Sequence, residues 1–327
     1  MAIKRSELID DENPGFYHLI SRCVRRTFLC GFDKETGQSF EHRRQWIESR
    51  ILELAKIFSI DVYSYAVMQN HYHLVVYFNP KAPWQWSDST VAERWLKLFP
   101  IRRSNPNYQS AYQAKIESIL DNENQLELCR KKLGSISWLM RCINEPIAKQ
   151  SNKEDFVKGH FWESRFKSQA LLDETAAITC MAYVDLNPVR AAVSNTIEES
   201  EYCSIQKRLI GMTQAQLEQA VSAVKGEVES SKLSINLGDY IELVEWTGKY
   251  INHPDKVSIP ATLAPIFCRL NLNQSQWINQ VNTFGNNYGR AVGALKLMRM
   301  KAKVLGLRWI KGVIATKSLY TTSKIIT

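Results

Sequence analysis

Two pairs of residues in this chain have the types and spacing to do chemistry: His71 and His73, two positions apart, and Tyr183 and Asn187, four apart. Two imidazoles on one face can hold a divalent cation once a third ligand arrives from elsewhere. Imidazole suits Zn, Cu, Fe and Ni and tolerates Mn or Mg. A phenol and an amide oxygen sharing a helix face offer a nucleophile beside a polar group. Taken singly, each pair has a simpler account: two partly exposed strand histidines bonded to neighbours, and a half-buried aromatic near a helix stop.

The flanking sequence says which elements would carry these groups. Residues 61–68 and 71–78 are rich in β-branched and aromatic side chains, with Gln69-Asn70 between them where a tight turn belongs, which predicts a β-hairpin. Side chains alternate along a strand, so His71 and His73 point one way, about 7 Å apart, while Tyr72, Leu74, Val76 and Phe78 point into a core. Downstream, Asp173 can cap a helix whose first turn is acidic and whose middle is alanine-rich. Pro188 disfavours helical geometry at Asn187, so this helix should end there. Tyr183 and Asn187 then lie on one face of its last turn, with Cβ atoms about 5–6 Å apart.

His71-Tyr72-His73 on a strand, followed by a helix ending Tyr183-Val184-Asp185-Leu186-Asn187-Pro188-Val189-Arg190, resembles the IS200-like single-tyrosine transposases of the His-hydrophobe-His superfamily, and within them the REP-associated tyrosine transposases. Residues 137–141, 159–169 and 201–204 share the resemblance, which covers roughly 16–209. It implies an α+β fold: an antiparallel, ferredoxin-like or RRM-like sheet with helices packed on it. It implies that His71 and His73 bind a divalent metal, Mg2+ or Mn2+, that Asn187 is a third ligand, and that Tyr183 is the nucleophile. The implied activity is metal-dependent cleavage and strand transfer of hairpin-forming single-stranded DNA, palindromic repeats included, through a 5′-phosphotyrosine. Relatives of this kind work as homodimers or as monomers. The chain departs from the pattern at Tyr72, where an aliphatic residue is more usual, and in an insertion at about 80–135.

The chemistry explains why such a set would be needed. A phenol with a pKa near 10 is ionised in only about one molecule in a thousand at neutral pH. A phosphodiester also repels an anionic nucleophile, and a cation on the phosphate offsets both obstacles.

The rest of the chain is read as support for this centre. Residues 15–24 predict a first strand with Arg22, Arg25 and Arg26 at its far end, and apolar residues at helical spacing over 41–58 predict a helix on the sheet. Within the insertion, short helices are expected at 92–98 and 125–132. Arg102, Arg103, Arg130, Lys131 and Lys132 there are either phosphate contacts or a solvated face. A stripe at Ile136, Leu139, Met140, Ile143 and Ile147 predicts a core helix, and residues 161–172 a strand. Its Arg165 and Lys167 share one face just before the Tyr183 helix, and with Arg22 and Arg190 they are candidates for DNA contact.

The catalytic domain is therefore expected at 1–210 and an all-α C-terminal domain at 211–327. A capping box at Thr213-Gln-Ala-Gln is expected to open a helix toward Val224, a polar linker to follow at 226–232, and helices over 240–250, 260–270, 275–284 and 291–305. From residue 285 onward there are nine Lys and Arg and no Asp or Glu, enough to account for the whole net charge of +9. Arg299, Lys301, Lys303 and Arg308, with Tyr288, Trp309 and Tyr320 among them, predict a DNA-backbone surface, a solubilising tail being the plainer alternative. Seven cysteines without a Cys-x-x-Cys argue against a disulfide framework. No run approaches a membrane span, and a cytoplasmic, nucleoid-associated protein is expected. Two other functions fit less of the pattern. A nucleic-acid-binding regulator on the same fold would not need both histidines, Tyr183 and Asn187 together, and a histidine-metal hydrolase would not need Tyr183.

Overall fold

The computed structural model describes residues 4–24, 29–34, 37–101, 106–228, 233–255, 257–258 and 260–320. Arg25, Arg26, Arg102, Arg103 and most of the expected 226–232 linker lie outside these residues. The N-terminal half runs β1 (Gly15–Arg22), α1 (His42–Leu54), β2 (Ile60–Val67) and β3 (His71–Phe78), then four helices of the insertion. These are α2 (Ala82–Gln85), α3 (Asp88–Leu98), α4 (Tyr108–Leu120) and α5 (Glu123–Leu133). Next come α6 (Ile136–Glu154), β4 (Lys167–Leu171), α7 (Glu174–Asp185) and α8 (Asn187–Arg190). The remainder is α9 (Ser204–Leu209), α10 (Gln214–Leu217), β5 (Lys225–Gly226), α11 (Leu237–Asn252), α12 (Leu263–Arg269), α13 (Gln274–Asn287), β6 (Ala291–Val292), α14 (Leu295–Val304) and α15 (Val313–Leu319).

The fold is α+β, built on one open sheet in the order β5-β2-β3-β1-β4-β6. β2, β3, β1 and β4 are antiparallel neighbours, as expected, but β6 runs parallel to β4, so the sheet is mixed. The C-terminal region is not all-α either, because it supplies β5 to one sheet edge and β6 to the other. The β2–β5 pairing needs a glycine at 226, since a Cβ there would fall 2.6 Å from the Asp61 Cα.

Alternation along the strands separates two cores. Tyr72, Leu74, Val76 and Phe78 point to the face covered by α1, α6 and the insertion helices. The insertion therefore packs opposite the histidines. α6 is capped by Ser135 and contains Pro146, which leaves the Cys142 carbonyl without its helical amide; Arg50 Nε takes that carbonyl at 3.1 Å.

The other face, carrying His71 and His73, is covered by α7 and the C-terminal helices. Asp173 caps α7 by accepting from the Ala176 amide at 2.8 Å, and Pro188 opens the fresh turn α8 instead of extending α7. Residues 176–185 are all buried, the alanines letting the helix lie close across β2 and β3. A bulge between Val62 and Ser64 puts Tyr63 and Ser64 on the same face, which brings Ser64 to the Asp185 carboxyl at 3.1 Å. Ser204 and Tyr240 donate to that carboxyl as well, so β2, α9 and α11 all anchor the end of α7.

Three local expectations change. The strand foreseen over 161–172 is regular only at Lys167–Leu171, its upstream part being held to β1 through a Cys23–Trp162 bridge. The capping box at Thr213 forms, but α10 stops at Leu217, well before Val224. α4 was not foreseen, because its apolar stripe is short and mostly exposed.

Candidate active site

β3 delivers His71 and His73 to the face under α7, and α7 delivers Tyr183 beside them. The Tyr183 and His73 rings meet edge to face at 5.5 Å. His71, His73 and Tyr183 line one cavity of about 300 Å3 together with Arg22, Arg165 and Lys167. Glu163 lines it as well, and Gly285 and Asn286 of α13 close it from above.

The histidines form a chain. His71 Nδ1 lies 2.5 Å from Asn70 Oδ1, and His73 Nδ1 lies 2.9 Å from His18 Nε2. His18 Nδ1 in turn faces Gln169 Oε1 at 3.4 Å. Both carbonyl oxygens can only accept, so His71 and His18 carry their protons on Nδ1; His18 Nε2 then accepts, and His73 also donates from Nδ1. The Nε2 atoms of His71 and His73, 3.0 Å apart, are thereby left as two lone pairs aimed at each other. Lone pairs repel at that distance unless a cation lies between them. Two nitrogens 3.0 Å apart subtend about 90° at an ion about 2.1 Å from each, an ordinary angle between metal ligands.

Electrostatics keeps these rings neutral, as ligands must be. Burial, helped by Arg22, pushes His71 down to about 4; burial alone outweighs the Gln169 contact and takes His18 to about 4. His73, also buried and beside both other histidines, is lowered well below the ordinary range. The donor set therefore fits a divalent cation at His71 and His73. Among the described residues no cluster of three or more His, Cys, Asp or Glu side chains completes a metal cage. Further ligands would have to be amide, water or substrate oxygens.

Tyr183 is 8% exposed. Burial raises its pKa, while Arg190 and Asn187 pull it back down. The Arg190 guanidinium sits 4.7 Å from the ring centroid, and its Nη2 donates to the Asn282 carbonyl at 2.7 Å. Among the described residues Arg190 Nη1 and Asn187 Nδ2 are buried without a hydrogen-bond partner. Two unmet donors beside a phenol suit an anion there. Asn187, expected as a third metal ligand, lies beside Tyr183 but does not line the cavity.

Of the residues expected to contact DNA, Arg22, Arg165 and Lys167 line the cavity and Arg190 adjoins it. Arg299, Lys301, Lys303 and Arg308 do not: α14 and the turn after it lie elsewhere, with Lys301 near Asp10. Tyr288 and Tyr320 are not open stacking surfaces. Tyr288 is buried and bonded to Gln280, and Tyr320 donates to Asp173 Oδ1 at 2.6 Å. Sequence reasoning missed His18 and Gln169. A third histidine on a predicted strand was a usable signal for His18. It also missed Phe284, which stacks on Tyr183 at 5.2 Å, and Gly285, where a Cβ would sit 2.7 Å from the Tyr183 hydroxyl. Nothing in the sequence ties residues a hundred positions apart.

No family model and no curated protein matches the chain. Among solved structures it is similar to one of a REP-associated tyrosine transposase bound to a REP hairpin. The two are 11% identical, with 71% of this chain and 96% of that chain covered and a TM-score of 0.33. Among the described residues no helix is long and apolar enough to cross a membrane.

Proposed function

We propose that the protein is a metal-dependent endonuclease and strand transferase for hairpin-forming single-stranded DNA, with Tyr183 as nucleophile. The observation that carries this reading is the convergence of His71 Nε2 and His73 Nε2 in a basic cavity that Tyr183 also lines. The family resemblance of the His71-Tyr72-His73 and Tyr183–Arg190 motifs supplies the reaction class. In this reading the β2-β3-β1-β4 part of the sheet is the ferredoxin-like nuclease core, residues 1–210 form the catalytic domain, and residues 211–327 form a domain that assists DNA binding.

His71 and His73 would hold Mg2+ or Mn2+, and the Asn187 amide, which lies beside Tyr183 outside the cavity lining, would have to turn toward the ion to serve as third protein group. When bound, the cation neutralises charge on the scissile phosphate and makes phosphorus more electrophilic. Arg22, Arg165 and Lys167 bind the flanking phosphates. Arg190, held over the ring, stabilises the phenolate as it forms. Tyr183 Oη bonds to phosphorus, the P–O3′ bond breaks, and the phenol's proton ends on the departing 3′ oxygen by way of water. A 5′-phosphotyrosine and a free 3′-hydroxyl result, and another 3′-hydroxyl can reverse the step without ATP.

One observation favours a second reading, a binding protein that does not cut: the Tyr183 hydroxyl lies close to Gly285, and the residue as a whole is mostly buried. One experiment separates the two. Hairpin-forming strands from the DNA beside the gene, labelled at either end, are incubated with Mg2+ or Mn2+ and run on a denaturing protein gel. We expect a labelled, SDS-resistant band carrying the 3′ fragment, lowered at least about 1,000-fold in Tyr183→Phe. Cleavage that persists in Tyr183→Phe points to a hydrolase using activated water, and binding without cleavage points to the regulator.

A further inference from the structure

A second cavity, of about 490 Å3, opens beside the first. One wall is α13, with Asn279, Asn286 and Asn287; the other is the segment from Trp309 to Ser318. Asn286 lines both cavities, so the two are neighbours. Trp309 is 67% exposed and Ile314 86% exposed. Large apolar side chains left open like this mark a contact surface when they stand together. Among the described residues that line the groove, Lys311 is the charged one and none carries a carboxylate. The surrounding chain from residue 285 onward contains no acidic residue at all.

We propose that this groove binds unpaired nucleotides of the DNA strand next to the scissile phosphate, with a base stacked on Trp309. The inference rests on the cavity beside it being the cleavage site, since adjacency at Asn286 is what selects the strand under cleavage as the occupant. An indole face stacks on any base, exposed amides such as Asn279 and Asn286 donate to and accept from base edges, and Lys311 meets a phosphate. A paired base hides its face inside the helix, so the groove prefers single strands to duplex. Its walls are held in advance: buried Gln280 accepts from Tyr288 Oη at 3.1 Å and donates to Ser318 Oγ at 2.5 Å, tying α13 to α15. Binding therefore needs little ordering of the protein.

The test is anisotropy titration of the full chain with a dye-labelled single strand, the same strand made abasic, and the corresponding duplex, all without divalent metal so that nothing is cut. Trp309→Ala should weaken single-strand binding about tenfold or more, Trp309→Phe should restore most of it, and neither should alter binding of the abasic strand or duplex. Because Trp309 is largely exposed, its thermal midpoint should match wild type. Equal affinity of Trp309→Ala and wild type for the intact strand overturns the inference, as does an equal loss on all three DNAs, which would mark simple loss of a backbone surface. Unchanged binding by Trp309→Ala together with a Tyr183 adduct removes the groove and leaves the nuclease. Trp309-dependent, base-dependent binding with no adduct keeps the groove as a single-strand site and removes the nuclease.

Discussion

Below the cavity, the chemical groups are fixed by hydrogen bonds running to buried partners in other elements. His73 leads to His18 on β1 and Gln169 on β4, and the end of α7 is tied through Asp185 to Ser64, Ser204 and Tyr240. Above the cavity, α13 meets Tyr183 through a stacked phenylalanine and a glycine. Hydrogen bonds set direction and tautomer as well as distance; stacking and close contact set distance alone. Damage to the floor should therefore change folding or metal affinity, and damage to the roof should change how freely the phenol is reached.

The largest effect should come from Asp185, the buried centre of the floor. Burial raises its pKa, and the three hydroxyl donors around it pull the other way. Asp185→Ala strands the buried hydroxyls of Ser64, Ser204 and Tyr240 and opens a small cavity. A loss of about 3–5 kcal/mol in denaturant unfolding is expected. Losing less than about 1 kcal/mol would mean that the helix end is held by packing alone.

His18 tests the floor's chemistry more than its stability. His18→Phe keeps a ring but removes the acceptor for His73 Nδ1–H, freeing the His73 tautomer, while His18→Gln can still accept. Mn2+ affinity by titration calorimetry should fall about 10- to 100-fold in the phenylalanine variant and recover in the glutamine variant. pH gives a second readout. The folded His18 stays neutral to about 4 against an ordinary value of 6.5, so as pH falls from 6.5 the unfolded chain takes the proton first and wild type loses stability. That loss is fully avoided above pH 6.5, and over the window down to about 4 the slope in His18→Phe should be shallower by about 1.4 kcal/mol per pH unit. Equal Mn2+ affinity in both variants would remove His18 from the metal's support.

How far the sequence reached follows the same division. The hairpin, the α7 cap at Asp173 and the stop at Pro188 rest on local rules of strand alternation, capping and proline geometry. All are legible within a dozen residues. His18 was hidden because strand register is not local: His18 faces Val75 in the ladder while Ile20 faces His73, and no single segment fixes that pairing. β6 lying parallel to β4, and Phe284 lying on Tyr183, are tertiary facts that composition does not encode. The basic run was visible, but Arg299, Lys301, Lys303 and Arg308 do not line the cavity, and Tyr288 and Tyr320 serve packing and a bond to Asp173.

Gly285 sharpens the comparison with the smallest change. It lies in α13, where alanine is intrinsically favoured over glycine by about 1 kcal/mol. A Cβ there, however, falls 2.7 Å from the Tyr183 hydroxyl and 3.4 Å from Cζ, and overpacking of this kind costs about 1–3 kcal/mol. The two partly offset, so Gly285→Ala should cost about 0–2 kcal/mol of stability. Adduct formation reads the contact more directly. If the roof holds the phenol in line with phosphorus, Gly285→Ala slows labelling of Tyr183 about tenfold. Asn282→Ala, an exposed change on the same helix that keeps the backbone carbonyl bonded to Arg190, should leave the rate unchanged. Unchanged labelling in Gly285→Ala would mean that α13 lifts away before the reaction, and faster labelling would mean that the roof obstructs Tyr183 instead of aiming it.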